Sequence, residues 1–170
     1  MLNEEVSIKE RCLRMKVAIG NDHAGDALRD VITKVIGELG HEVVDFGTDT
    51  GEKCYTTPIA EHVANYVVAN EDAVGILVCG SGVGMSIAAN KVPGIRCVLS
   101  SEIFSAETSR THNNTNILAM GARVIGPDLA ERIVRKWLST EYEGGRREVA
   151  YGLITELEQK HLKEAIIYQD

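Results

Sequence analysis

From Met15 onward the chain alternates between short apolar runs and stretches in which apolar residues recur every three or four positions. The runs at 16–20, 41–46, 74–79, 95–99 and 117–120 are rich in β-branched residues and too short for helices, so they predict strands. Between them, Leu28, Val31, Ile32, Val35, Ile36 and Leu39 share one helical face, and Gly40 stops it. Ile59, Val63, Tyr66 and Val67 mark a second helix after Pro58. Further helices are predicted over 85–91, 102–111, 127–138 and 147–164. The run 74–79 shows no alternation, which predicts a strand covered on both faces.

Strands separated by helix-length crossovers predict an α/β fold. The expected form is a single-domain, three-layer αβα sandwich around a mostly parallel, Rossmann-like five-stranded sheet. Residues 1–14 are charged and irregular and are expected to be an extension outside the core, which leaves 15–170 as the domain. In such sheets ligands bind beyond the carboxyl ends of the strands, where the strand order reverses. The turns to watch are therefore Asn21-Asp22-His23-Ala24-Gly25, Gly80-Ser81-Gly82-Val83-Gly84, Ser100-Ser101-Glu102 and Gly121-Ala122-Arg123, with Thr111-His112-Asn113-Asn114 leading into the last strand.

Composition narrows the partners. A net charge of -7 argues against a nucleic acid or an anionic membrane, since neutralising a run of phosphates needs a broad basic surface. A small anion needs only a few placed arginines. No apolar run approaches the roughly 20 residues that span a bilayer. The four cysteines, Cys12, Cys54, Cys79 and Cys97, form no C-x-x-C pair, so neither a zinc ribbon nor a dithiol motif is indicated. With no secretory signal pattern at the start, a reducing cytoplasm is expected.

Cys79 carries the most chemistry. It ends a buried strand and opens a glycine-rich turn into a helix, where backbone N–H groups favour a thiolate and hence a candidate base. The same cysteine also reads as a small apolar residue at a strand end. Gly80, Gly82 and Gly84 let backbone donors approach a ligand oxygen, or simply allow a tight turn. A dinucleotide fingerprint would need glycine where Met85 stands, and no Gly-Lys-Ser/Thr follows for a P-loop. Asp22 can orient hydroxyls or cap a helix. His23 can donate to a phosphate, His112 also reads as a solvent-exposed loop histidine, and Arg123 and Arg146 offer forks suited to phosphate or to surface pairing.

Together these residues resemble a known family, ribose-5-phosphate isomerase B with its galactose-6-phosphate isomerase relatives. The resemblance runs from about 15 to 159 through Gly20-Asn21-Asp22-His23-Ala24-Gly25, the stretch from Cys79-Gly80-Ser81-Gly82-Val83-Gly84 to Asn90-Lys91, Gly94-Ile95-Arg96, Ser109-Arg110-Thr111-His112-Asn113 and Tyr142-Glu143-Gly144-Gly145-Arg146. It implies interconversion of aldose and ketose phosphates through a cis-enediolate, with no metal or organic cofactor. By the resemblance Cys79 is the proton acceptor, Ser81 and the turn stabilise the oxyanion, and His112 donates a proton in ring opening. Asn113 binds a hydroxyl, and Asp22, His23, Gly80, Gly82, Val83 and Gly84 bind substrate. Arg123 and Arg146 take the phosphate. A homodimer or dimer of dimers with shared active sites is implied.

The chain also departs from the pattern. Some members carry a glutamate base where Met85 stands, so Cys79 has no substitute. Thr56-Thr57-Pro58 stands where many members have Asp-Tyr-Pro, leaving only nearby Tyr55 to supply a substrate-side tyrosine. A second arginine four residues after Arg146 is replaced by Ala150, with Arg147 next door. The His112-Asn113 pair, absent from the galactose type, favours a pentose phosphate. The alternatives are a hexose 6-phosphate isomerase of the allose or galactose type, or a non-catalytic phosphate-binding module.

Overall fold

A computed structural model describes residues 14–48 and 53–167. The expected extension therefore lies outside the described residues, except for Arg14. Five strands are present: β1 (Lys16–Asn21), β2 (Glu42–Asp45), β3 (Ala73–Cys79), β4 (Cys97–Leu99) and β5 (Ile117–Gly121). Six helices occur among the described residues: α1 (Asp26–Glu38), α2 (Thr56–Ala69), α3 (Val83–Ala89), α4 (Ile103–Asn113), α5 (Pro127–Leu138) and α6 (Arg146–Ile167).

All neighbouring strands pair in parallel, in the order β2-β1-β3-β5-β4. The expected α/β sandwich is thus present, and its sheet is wholly parallel. Alternation along β3 explains the layers, because successive side chains leave a strand on opposite faces. Val74, Ile76 and Val78 join a core with Leu28, Ile32, Val35 and Ile36 of α1 and Ile133, Val134 and Trp137 of α5. Leu77 and Cys79 join the opposite core, with Ile59, Val63 and Val67 of α2 and Met85 and Ala89 of α3. Each large aliphatic side chain buried this way contributes about 1.5–3 kcal/mol of transfer free energy.

Helix starts differ from the sequence reading where backbone geometry intervenes. α3 begins at Val83 rather than Met85, because Gly82 takes a left-handed φ of 78° and turns the chain straight into a helix. Glu102 is the N-cap of α4, its carboxylate accepting from the N–H groups of Phe104 and Ser105. β4 is shorter than the predicted 95–99, since Asn90 Oδ1 accepts the Cys97 N–H at 2.8 Å and Asn116 Oδ1 accepts that of Arg96 at 2.8 Å. Side chains thus replace the ladder there. No described helix is long and apolar enough to cross a membrane.

Candidate active site

The strand order reverses between β1 and β3, and the turns after these two strands meet the turn after β5 there. The backbone laces them together. Asp22 N–H donates to Val78 O at 3.2 Å, Ala122 N–H to Cys79 O at 2.9 Å, and Arg123 N–H to Gly80 O at 3.0 Å. They form one side of a cleft of about 470 Å³ lined by Asp22, His23, Cys79, Ser81, Arg123 and Thr56, among others.

Cys79 is buried at the cleft floor, and the Gly82 N–H points at its Sγ from 3.1 Å. Such a donor supports negative charge on sulfur. Gly82 is required twice over. Beyond its positive φ, a Cβ there would stand 2.5 Å from Leu99 Cδ1 and 2.8 Å from Met120 C. Gly80 carries less constraint, since a Cβ would meet the Arg123 side chain at an ordinary 3.6 Å. Arg123 therefore lies over the turn. Ser81 is exposed, its Oγ accepting from the Val83 N–H at 3.3 Å. Gly84 keeps the rim open, since a Cβ there would meet only Thr56 Oγ1, at 3.5 Å.

Asp22 does what a capping residue does, and still lines the cleft. Its Oδ1 accepts from Ala24 and Gly25 N–H, both at 2.9 Å, which fixes the turn. His23 is half-buried, and its Nδ1 is buried with no hydrogen-bond partner among the described residues. Thr56 is a lining residue that sequence reasoning misses, since a threonine opening a helix carries no signal of its own. Tyr55 is 87% exposed and is not among the residues that line the cleft.

His112, Asn113 and Arg146 lie elsewhere. α4 runs back along the sheet and ends just before β5 begins at Ile117, which pairs with Gly75, whereas Cys79 pairs with Gly121. Four strand residues at about 3.3 Å each put the two levels about 13 Å apart. At that opposite pole, Glu143 N–H donates to Thr111 O at 3.2 Å, holding the start of α6 against the end of α4. There Arg147 Nη2 lies 2.7 Å from His112 Nε2. Tyr142 OH and Arg147 Nε are buried without hydrogen bonds, and burial pushes the Tyr142 phenol pKa up.

Two arginines of the same motifs are structural. Arg96 lies over the Tyr151 ring, 4.8 Å from its centroid, and donates through Nε to Asn114 O at 2.8 Å. Arg110 stacks on Trp137 at 5.1 Å and donates through Nε to Thr140 O at 3.2 Å. Burial, then Arg96, hold the Arg110 pKa below its ordinary value. No group of three or more His, Cys, Asp or Glu among the described residues is arranged to hold a metal ion.

The family model described as Ribose/Galactose Isomerase matches residues 17–153. The chain belongs to the ribose/galactose isomerase family. Among its relatives, ribose-5-phosphate isomerase B of Escherichia coli is 48% identical over 145 residues, covering 85% of this chain and 97% of that one. A D-erythrulose-4-phosphate isomerase of Pectobacterium atrosepticum is 42% identical over 132 residues, 77% of this chain and 87% of that one. The solved ribose-5-phosphate isomerase B of Clostridium thermocellum is 46% identical, with a TM-score of 0.83 over 86% of this chain and 99% of that one. This member of the ribose/galactose isomerase family is accordingly an enzyme, an isomerase.

Proposed function

We propose that residues 15–170 act as an aldose-ketose isomerase domain interconverting ribose 5-phosphate and ribulose 5-phosphate through a cis-enediolate. Cys79 removes the C2 proton of the open-chain aldose and returns it to C1. Charge then develops on the former carbonyl oxygen, where Ser81 and the N–H groups of the turn formed by Gly80, Gly82, Val83 and Gly84 stabilise it. Asp22 and His23 hold substrate hydroxyls and phosphate, and Arg123 faces the phosphate from above the turn.

The observation that carries this reading is the buried Cys79 sulfur at the floor of a cleft, with an N–H aimed at it and His23, Ser81 and Arg123 around it. The E. coli and C. thermocellum relatives support the pentose phosphate as substrate.

The gap of about 13 Å between the two poles is longer than a pentose ring can bridge. His112, Asn113 and Arg146 therefore serve the cleft of a second copy, in a homodimer or a dimer of dimers. There His112 opens the sugar ring, Asn113 binds a hydroxyl and Arg146 adds to the phosphate site. The exposed Val149, Leu153 and Leu157, four residues apart along α6, form a stripe of the kind that a subunit interface covers.

The test is turnover of both pentose phosphates by the purified protein, beside erythrulose 4-phosphate and allose and galactose 6-phosphates. Ribose 5-phosphate is expected to react fastest, and Cys79→Ala to lower its rate by a factor of about 10³ or more. A fully active Cys79→Ala variant would remove the base.

A further inference from the structure

We infer that Arg147 is a positioning residue for His112, fixing the imidazole tautomer so that Nδ1–H is the group presented to the sugar. The inference rests on the ring-opening role proposed above. A guanidinium has only N–H donors, so across the 2.7 Å contact with Arg147 Nη2 the His112 Nε2 must accept. A neutral imidazole has one donor nitrogen and one acceptor nitrogen, which places its proton on Nδ1. An imidazolium carries N–H on both nitrogens and has no place in this contact.

The contact is built from both sides. Gly144 and Gly145 take left-handed φ values of 63° and 56°, turning the chain back toward the end of α4. Arg147 N–H donates to Gly144 O at 3.0 Å, and Glu143 N–H donates to Thr111 O at 3.2 Å, one residue before His112. Glu143 Oε2 stands 3.7 Å from Arg147 Nε and pairs with the guanidinium that meets the histidine. The fork is therefore held by its own helix start, and His112 by the end of α4.

The arrangement has a chemical consequence. A cation donating to Nε2 draws electron density from the ring and strengthens Nδ1–H as a donor. When the bond between C1 and the ring oxygen breaks, that oxygen takes the Nδ1 proton. The anomeric hydroxyl loses its own proton as it becomes the carbonyl, and that proton restores Nδ1. The imidazole ends neutral, and no outside acid is consumed. A neutral histidine acting as an electrophile is an established pattern in sugar-phosphate chemistry.

Nitrogen-15 NMR of histidine-labelled full-length protein reads the tautomer directly, with His112→Gln used to assign the signal. A proton on Nδ1 and an accepting Nε2 are expected, and a proton on Nε2 overturns the inference. Arg147→Ala should shift His112 toward the other tautomer and lower conversion of cyclic ribose 5-phosphate roughly tenfold. Solvent exchange of the C1 proton of ribulose 5-phosphate, an open-chain ketose with no ring to open, should fall by much less. Arg147→Lys should restore the tautomer and most of the aldose rate. Equal loss in both assays, with no rescue by lysine, also overturns the positioning role. Full aldose turnover by His112→Ala would instead remove the ring-opening step, which the tautomer measurement does not depend on.

Discussion

The cleft around Cys79 and the pole around His112 are made in opposite ways. At the cleft, position is set by backbone: three turns are joined by main-chain hydrogen bonds, and a side chain at Gly82 would both strain the backbone and crowd Leu99 and Met120. At the pole, position is set by side chains on two helix ends. His112 is fixed by Arg147, while the Tyr142 hydroxyl and Arg147 Nε are left without hydrogen bonds. Each region leaves two buried polar atoms without a hydrogen bond among the described residues, Asn21 Oδ1 and His23 Nδ1 by the cleft and the Tyr142 hydroxyl and Arg147 Nε at the pole, so unpaired atoms do not tell the two apart. The cleft is lined by residues of one chain, and in the reading proposed above the pole supplies the residues that a second copy's cleft lacks.

The sharpest way to break that comparison is complementation. Cys79→Ala and His112→Ala chains, each poorly active alone, are unfolded together and refolded as a mixture. If each active site draws Cys79 from one chain and His112 from the other, half the dimers are mixed and each holds one intact site, so about a quarter of the wild-type rate should return. No recovery in steady-state assays would place both residues in a single chain's site.

A smaller effect separates the two kinds of construction. Gly82→Ala combines left-handed strain with a backbone clash, and should cost about 3 kcal/mol of stability. Gly145→Ala, with a φ of 56° and nothing within 4 Å of the new methyl, carries strain alone and should cost about 1 kcal/mol. Urea denaturation of both variants checks the difference, and equal losses would contradict the role given to packing at the turn.

The mildest test concerns sulfur reactivity. Burial pushes the Cys97 thiol up to about 12, so it stays protonated through neutral and mildly alkaline pH. Cys79, open to the cleft and supported by the Gly82 N–H, should take up iodoacetamide several-fold faster, and substrate should protect it. Mass spectrometry of digested protein at short labelling times reads both, and faster labelling of Cys97 would count against an activated Cys79.

Much of the fold could be read in the sequence, for a physical reason. Helical periodicity in Leu28, Ile32, Val35 and Ile36 and the unbroken apolar run 74–79 are local records of how many faces each element buries. Element ends were less legible, because they depend on contacts distant along the chain, such as Asn116 capping the Arg96 N–H. The cleft was legible in outline through its glycines and the Asp22-His23 turn. Thr56 was not, since its place depends on where α2 starts relative to α3.

By itself, then, the sequence determined the alternation of strands and helices and the turn that ends at Cys79, since periodicity and glycine placement act over a few residues. Only the tertiary structure decided that His112, Asn113 and Arg146 stand at the far end of the sheet, and that Arg147 is engaged with His112. The direction in which α4 crosses the sheet, and the strand it leads into, are set by long-range pairing of β3 with β5, which no local pattern encodes.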